Sequence, residues 1–152
     1  MKLHYFEYNI FSYLLATNTL SHDRAVEWAY CQYGNDGVEP FIEKIALTID
    51  SAEIRELISN TFQVYGTPDK EFLSGEVVEK FFTNQLSLYE AIAQILFDIQ
   101  PEMAKEDEQK MYIAEDYFGW HKNTEEEALK VVQDIFKKYH TTYKNAVSTF
   151  GI

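Results

Sequence analysis

The sequence is poor in the residues that staple, break or bend a chain. Its one cysteine, Cys31, cannot close an internal disulfide. That argues against a disulfide-stapled secreted scaffold and suits a reducing cytoplasm. Three prolines and six glycines in 152 residues leave long stretches without breakers. Basic residues are scarce as well: thirteen Lys and Arg stand against twenty-five Asp and Glu, for a net charge of −12. A field of that sign repels nucleic acid and anionic membrane. The lysines are scattered, with only Lys137 and Lys138 adjacent. No apolar run approaches the roughly eighteen residues needed to cross a bilayer. The N-terminal MKLHYFEYNIF has a single lysine and is interrupted by His4, Glu7 and Asn9, so it does not read as a signal peptide.

Catalytic signatures are missing too. There is no phosphate loop, no glycine fingerprint for a dinucleotide, no H-E-x-x-H and no acidic calcium loop. None of the four histidines (His4, His22, His121, His140) has a glutamate three residues before it, as paired helical di-metal sites require. The sequence therefore predicts a protein that is not an enzyme and carries no cofactor.

What the chain has in abundance is aromatic side chains: eleven Tyr, eleven Phe and two Trp. Together with the low glycine and proline content, that excludes disorder. A chain of this length can bury a core without metal or disulfide, and residues 1–152 are expected to form a single helical domain. Tyrosines beside acids also suit a binding surface, although tyrosine serves cores equally well.

The clearest helix begins at Thr124. Its hydroxyl can cap the first turn, and Glu127 three residues on completes a capping box. Ala128, Val132, Ile135, Phe136 and Tyr139 recur on one face, widened by Val131. Glu125, Glu126 and Glu127 suit the start of the helix dipole, and Lys137, Lys138 and His140 suit an end close behind them. Earlier segments read the same way. His4 to Ala16 is a buried helix with a short extended start. Ser21 caps a helix with Ala25, Trp28, Ala29 and Gln32 on one face, ended by Gly34. Trp28 and Cys31 are expected in its core. Pro40 opens a helix with Phe41, Ile42, Ile45, Ala46 and Ile49 inward. Asp50 and Glu53 cap the next, with Ile54, Leu57, Ile58 and Phe62 inward, making a helix hairpin. Phe72 to Phe82 suggests helical turns interrupted at Ser74-Gly75. Ser87 and Glu90 open Leu88 to Ile99. After Pro101, a charged run leads into Met111, Ala114 and Phe118, and Gly119 is placed at a helix end. Trp120 and His121 then fall in a connection. The fold class is all-α, a single-domain bundle of six or seven short-looped helices, with stacked helix pairs as one arrangement the spacing allows. No fixed-period repeat is visible.

The acids are not evenly spread. Asp98 to Glu127 holds ten of them against three lysines, −7 of the total −12. Such a cluster attracts basic partners, and it also serves solubility. The candidate partner-binding residues are Glu102, Glu106, Asp107, Glu108, Glu115, Asp116, Tyr117, Trp120 and His121. Trp120 has two readings, a core plug or an exposed interface anchor. A divalent-metal alternative would draw on Glu115, Asp116, His121 and Glu125, but acids near a capping box already have a structural reason to be there.

The segment LSHDRAVEWA (Leu20 to Ala29), the helix pair Pro40 to Ile58 and the run Ala114-Glu115-Asp116-Tyr117-Phe118 resemble small acidic helical immunity proteins. Those are encoded beside bacterial polymorphic or contact-dependent toxins. The resemblance implies contact-dependent growth inhibition as the setting. The function it implies is that of an antitoxin-like inhibitor that binds and blocks a cognate toxin domain, commonly a nuclease. A nuclease must be basic to hold its phosphate substrate, so an acidic, aromatic surface is the matching chemistry. The alternatives left by the residues themselves are a regulatory or self-associating helical protein and, below it, a metal protein.

Overall fold

Three side chains set helix starts where the sequence places them. The Ser21 hydroxyl accepts from the Arg24 N–H at 3.2 Å, and the Ser87 hydroxyl from the Glu90 N–H at 3.1 Å. The Asp50 carboxylate accepts from the Glu53 N–H at 2.9 Å, and the Glu53 carboxylate reaches back to the Ile49 N–H at 2.7 Å. The contacts to the Arg24, Glu90 and Glu53 N–H groups satisfy backbone donors that the first helical turn leaves open. The computed structural model describes residues 3–120 and 124–152, without the side chains of Tyr5 and Trp120. Its helices are α1 (Tyr5–Ala16), α2 (His22–Cys31), α3 (Pro40–Ala46), α4 (Ser51–Tyr65), α5 (Lys70–Phe82), α6 (Leu88–Ala93), α7 (Lys105–Trp120) and α8 (Glu125–Ser148). A π-helical segment, Gln94–Ile99, continues α6. No strand occurs among the described residues, and the fold is all-α. The helix count is slightly above the six or seven expected.

Two compact units are present: Met1–Pro68 with Ala146–Ile152, and Asp69–Asn145. In the first, α1 packs on α4 and α2 on α3. Phe11, Leu14, Ala25, Ala29, Ile42, Ile45 and Phe150 are buried. The rings of Phe11, Trp28 and Phe150 meet at 4.8 to 5.2 Å. Trp28 is part-buried, and its indole N–H donates to the Thr149 carbonyl at 3.1 Å. It joins the packed ring cluster, as its position in the pattern suggests. In the second unit, Val78, Leu88, Ile92, Ile95, Met111, Ala114, Ala128, Val132, Ile135, Phe136 and Tyr139 form one buried cluster. The α8 stripe read from the sequence supplies five of these residues.

Several expectations are overturned. α5 is not interrupted at Ser74-Gly75: both residues are helical and buried. Gly75 is there because α8 crosses directly over it. A Cβ at Gly75 would stand 2.6 Å from the Tyr143 Cβ and closer still to the Tyr139 carbonyl oxygen. Cys31 is exposed, not core, because it lies on the face of α2 opposite Ala25 and Ala29. Ile49 is 84% exposed, since α3 ends at Ala46. Leu57, Ile58 and Phe62 are only half-buried. Gly119 is helical within α7 instead of ending it. α8 continues to Ser148 and has no basic residue in its last turn, so the dipole does not explain Lys137 and Lys138.

Replacing Gly75 by Ala is expected to destabilise the second unit. Overpacking against backbone costs about 1–3 kcal/mol or more, which exceeds the roughly 1 kcal/mol gained in helix propensity. A thermal melt checks it, and an unchanged or raised midpoint would remove the close approach from the account. Alkaline pH provides a second check. Burial, with nearby acids adding to it, pushes Tyr139 and Tyr143 from 10.0 up to about 12. The unfolded chain therefore loses these protons first. The stability they contribute is whole below pH 10 and falls as pH rises toward about 12. Denaturant melts across that window should show a steep loss for the native chain and a shallower one for a Tyr139→Phe, Tyr143→Phe double variant. Parallel losses would contradict the assignment.

Candidate functional site

The second unit carries the candidate acids on α7 and on the segment leading into it. Glu102 is exposed in that segment, after Gln100, which takes a left-handed conformation (φ 55°), and after buried Pro101. Glu106, Asp107 and Glu108 occupy the first turn of α7, where the helix dipole favours them. They do not share a face, because three consecutive helical residues span most of the circumference. Asp107 is half-buried and close enough to Tyr139 to help raise its pKa, so it points toward α8. Glu106 lies in register with Ile113 and the half-buried Tyr117 along one edge of α7. Glu108, Tyr112, Glu115 and Gly119 follow one another at helical spacing along another, and Asp116 adjoins them. Trp120 ends α7, and its side chain lies outside the described residues, as does His121 entirely. The six candidates with described side chains on α7 (Glu106, Asp107, Glu108, Glu115, Asp116 and Tyr117) are thus divided over the helix circumference.

The edge that carries Glu108 and Glu115 faces α6. The rings of Tyr89 and Phe118 approach to 5.3 Å at 59°, and those of Phe97 and Tyr112 to 6.3 Å at 62°. The order of these pairs makes the two helical segments antiparallel. Between the pairs sits half-buried Glu115. Tyr89, Phe97 and Tyr112 are each more than two-fifths exposed. Sequence reading missed these three as site residues. Nothing local says that residues near 90 lie beside residues near 115, although the 8-residue spacing of Tyr89 and Phe97 is itself helical. The π-helical turns matter here. The Gln100 N–H donates to the Ile95 carbonyl at 2.9 Å, a five-residue span, and such wide turns change which side chains a helix presents outward. Ile95 and Leu96 are buried while Phe97 is 48% exposed.

A pocket of about 420 Å³ opens on this edge, lined by Tyr89, Glu115, Asp116, Phe118 and Gly119. Neither Glu115 nor Asp116 is paired with a basic side chain among the described residues; the ion pairs of this unit engage Glu76, Glu79, Glu126 and Glu127 instead. The Glu79 carboxylate meets the His140 ring in a short contact, with Phe82 edge-on to the imidazole at 4.8 Å.

The first unit holds a larger groove, about 650 Å³, between α3 and α4. Tyr8, Phe41, Leu47, Leu57, Val64 and Tyr65 provide its apolar surface, with Lys44 on the α3 side and Glu53 and Glu56 on the α4 side. Its apolar lining is only partly covered: Val64 on α4 is 71% exposed, and Leu47 at the end of α3 is 58% exposed. The metal alternative involves Glu115, Asp116, His121 and Glu125. His121 lies outside the described residues, and no group of three or more potential ligands converges among those described. No helix in the described residues is long and apolar enough to cross a membrane. No protein-family model, curated protein or solved structure matches the chain.

Proposed function

We propose that this chain is a cytoplasmic, non-catalytic binding protein, an immunity protein that neutralises a basic, nuclease-like toxin domain through the α6–α7 edge of its second unit. One observation carries the reading. Carboxylates with no basic side-chain partner among the described residues (Glu115, Asp116) and exposed rings (Tyr89, Phe97, Tyr112) stand together on that edge, and the carboxylates belong to the stretch that holds −7 of the −12 charge. The acids supply long-range attraction, which raises the encounter rate with a basic partner. The rings supply rigid area for the short-range contact, and interface hot spots are enriched in such residues. An isolated acidic cluster would steer without anchoring, and isolated rings would anchor without selecting the sign of the partner.

The test uses the basic protein recovered from native lysate at low salt. Reversing Glu108, Glu115 and Asp116 to Lys should slow association by about tenfold or more at low ionic strength and flatten its salt dependence. Tyr112→Ala should instead act on dissociation, costing about 2 kcal/mol of affinity. Unchanged affinity and salt slope in both variants would remove this edge as the binding surface.

A further inference from the structure

The pocket between Tyr89 and Phe118 has a chemistry narrower than attraction to positive charge. Its two rings meet at an angle of 59° with centroids 5.3 Å apart, so they form a corner instead of a closed stack. Glu115 and Asp116 line the same cavity, and neither carboxylate is occupied by a basic side chain of the described residues. Gly119 opens one wall, since a side chain added there would meet nothing within 4 Å. The volume of about 420 Å³ suits one long side chain and not a folded element. Aromatic faces attract cations, and a planar guanidinium can stack on a ring while donating in its own plane to a carboxylate. A lysine ammonium, a strongly hydrated point charge, cannot do both at once.

We propose that this pocket receives an arginine guanidinium. Its face lies on Tyr89 or Phe118, and its N–H groups donate to Glu115 and Asp116. The inference rests on the partner reading above and specifies it: the partner presents an arginine at the centre of its contact, not merely a basic surface. Glu115 and Asp116 then determine specificity, and Gly119 keeps the pocket open.

The experiment is a titration of the isotope-labelled full chain with N-acetyl-arginine amide, followed by amide chemical shifts. Lysine amide and the neutral isostere citrulline amide run in parallel. The expected result is saturable shifts at residues 115–119 and around Tyr89, in the millimolar range for arginine, weaker for lysine and absent for citrulline. Glu115→Gln with Asp116→Asn should weaken arginine binding by about tenfold. Gly119→Leu, which adds bulk at the opening while leaving both carboxylates in the chain, should abolish it while leaving the melting temperature unchanged or higher. Equal shifts from citrulline, shifts confined to other surfaces, or full binding by Gly119→Leu would overturn the proposal. If arginine amide fails while the low-salt basic partner still binds and is lost on charge reversal, the pocket assignment falls and the partner reading stands. If arginine amide binds as expected and no basic partner is captured, the pocket stands and the partner reading falls.

Discussion

The close passage of α8 over Gly75 is the constraint on which the second unit depends. Two helices normally stand 8–10 Å apart, at a distance set by the side chains between them. Removing the side chain at Gly75, with only the small Ser74 beside it, lets the α8 backbone come down onto α5. That brings Tyr139 and Tyr143 into burial and raises their pKa values to about 12. Phe72 meets the Tyr143 ring and Phe81 the Phe136 ring along the same contact. A glycine that local rules treat as a helix breaker is here the residue that permits the close approach of α8 to α5.

With α8 seated on α5, the remaining apolar faces of α6 and α7 turn toward the cluster around Ile92, Ile95, Met111 and Ala114. Their outer edges are left to solvent. Phe97 and Tyr112, and Tyr89 with Phe118, then meet across that seam, and Glu115 falls between the two pairs. Buried packing on one side of α7 thus places carboxylates and rings beside each other on another. That coupling is the physical basis of the proposed contact. Charge brings a basic partner in from a distance, and a geometrically defined corner of rings and carboxylates selects among cationic groups on arrival.

The parts of this arrangement that were legible in the sequence are those governed by local periodicity and capping. The α8 stripe, the caps at Ser21, Asp50 and Ser87, and the all-α class follow from spacing and from donors that need acceptors. The extension of α8 past His140 was also readable. Tyr143 and Val147 continue the stripe from Tyr139 at four-residue steps, but the lysines before them imitate a helix end. Exposed Cys31 could likewise have been placed by its angle from Ala25 and Ala29. Other features depend on partners distant in the chain. The role of Gly75 needs α8, and the pairing of Tyr89 with Phe118 needs α6 to lie antiparallel to α7. The π-helical turns of Gln94–Ile99 leave no trace in a pattern that fits an ordinary helix equally well. The candidate acids were grouped by their proximity in sequence. The winding of α7 separates them, so that Asp107 turns to Tyr139 while Glu108 and Glu115 stay on the α6 side.

The most direct measurement is a hydrogen-exchange footprint of the chain, alone and with the basic protein captured at low salt. The account predicts added protection on residues 112–119 of α7 and on residues 89–97, fading as salt is raised. Protection centred instead on the α3–α4 groove, or insensitive to salt, would contradict it.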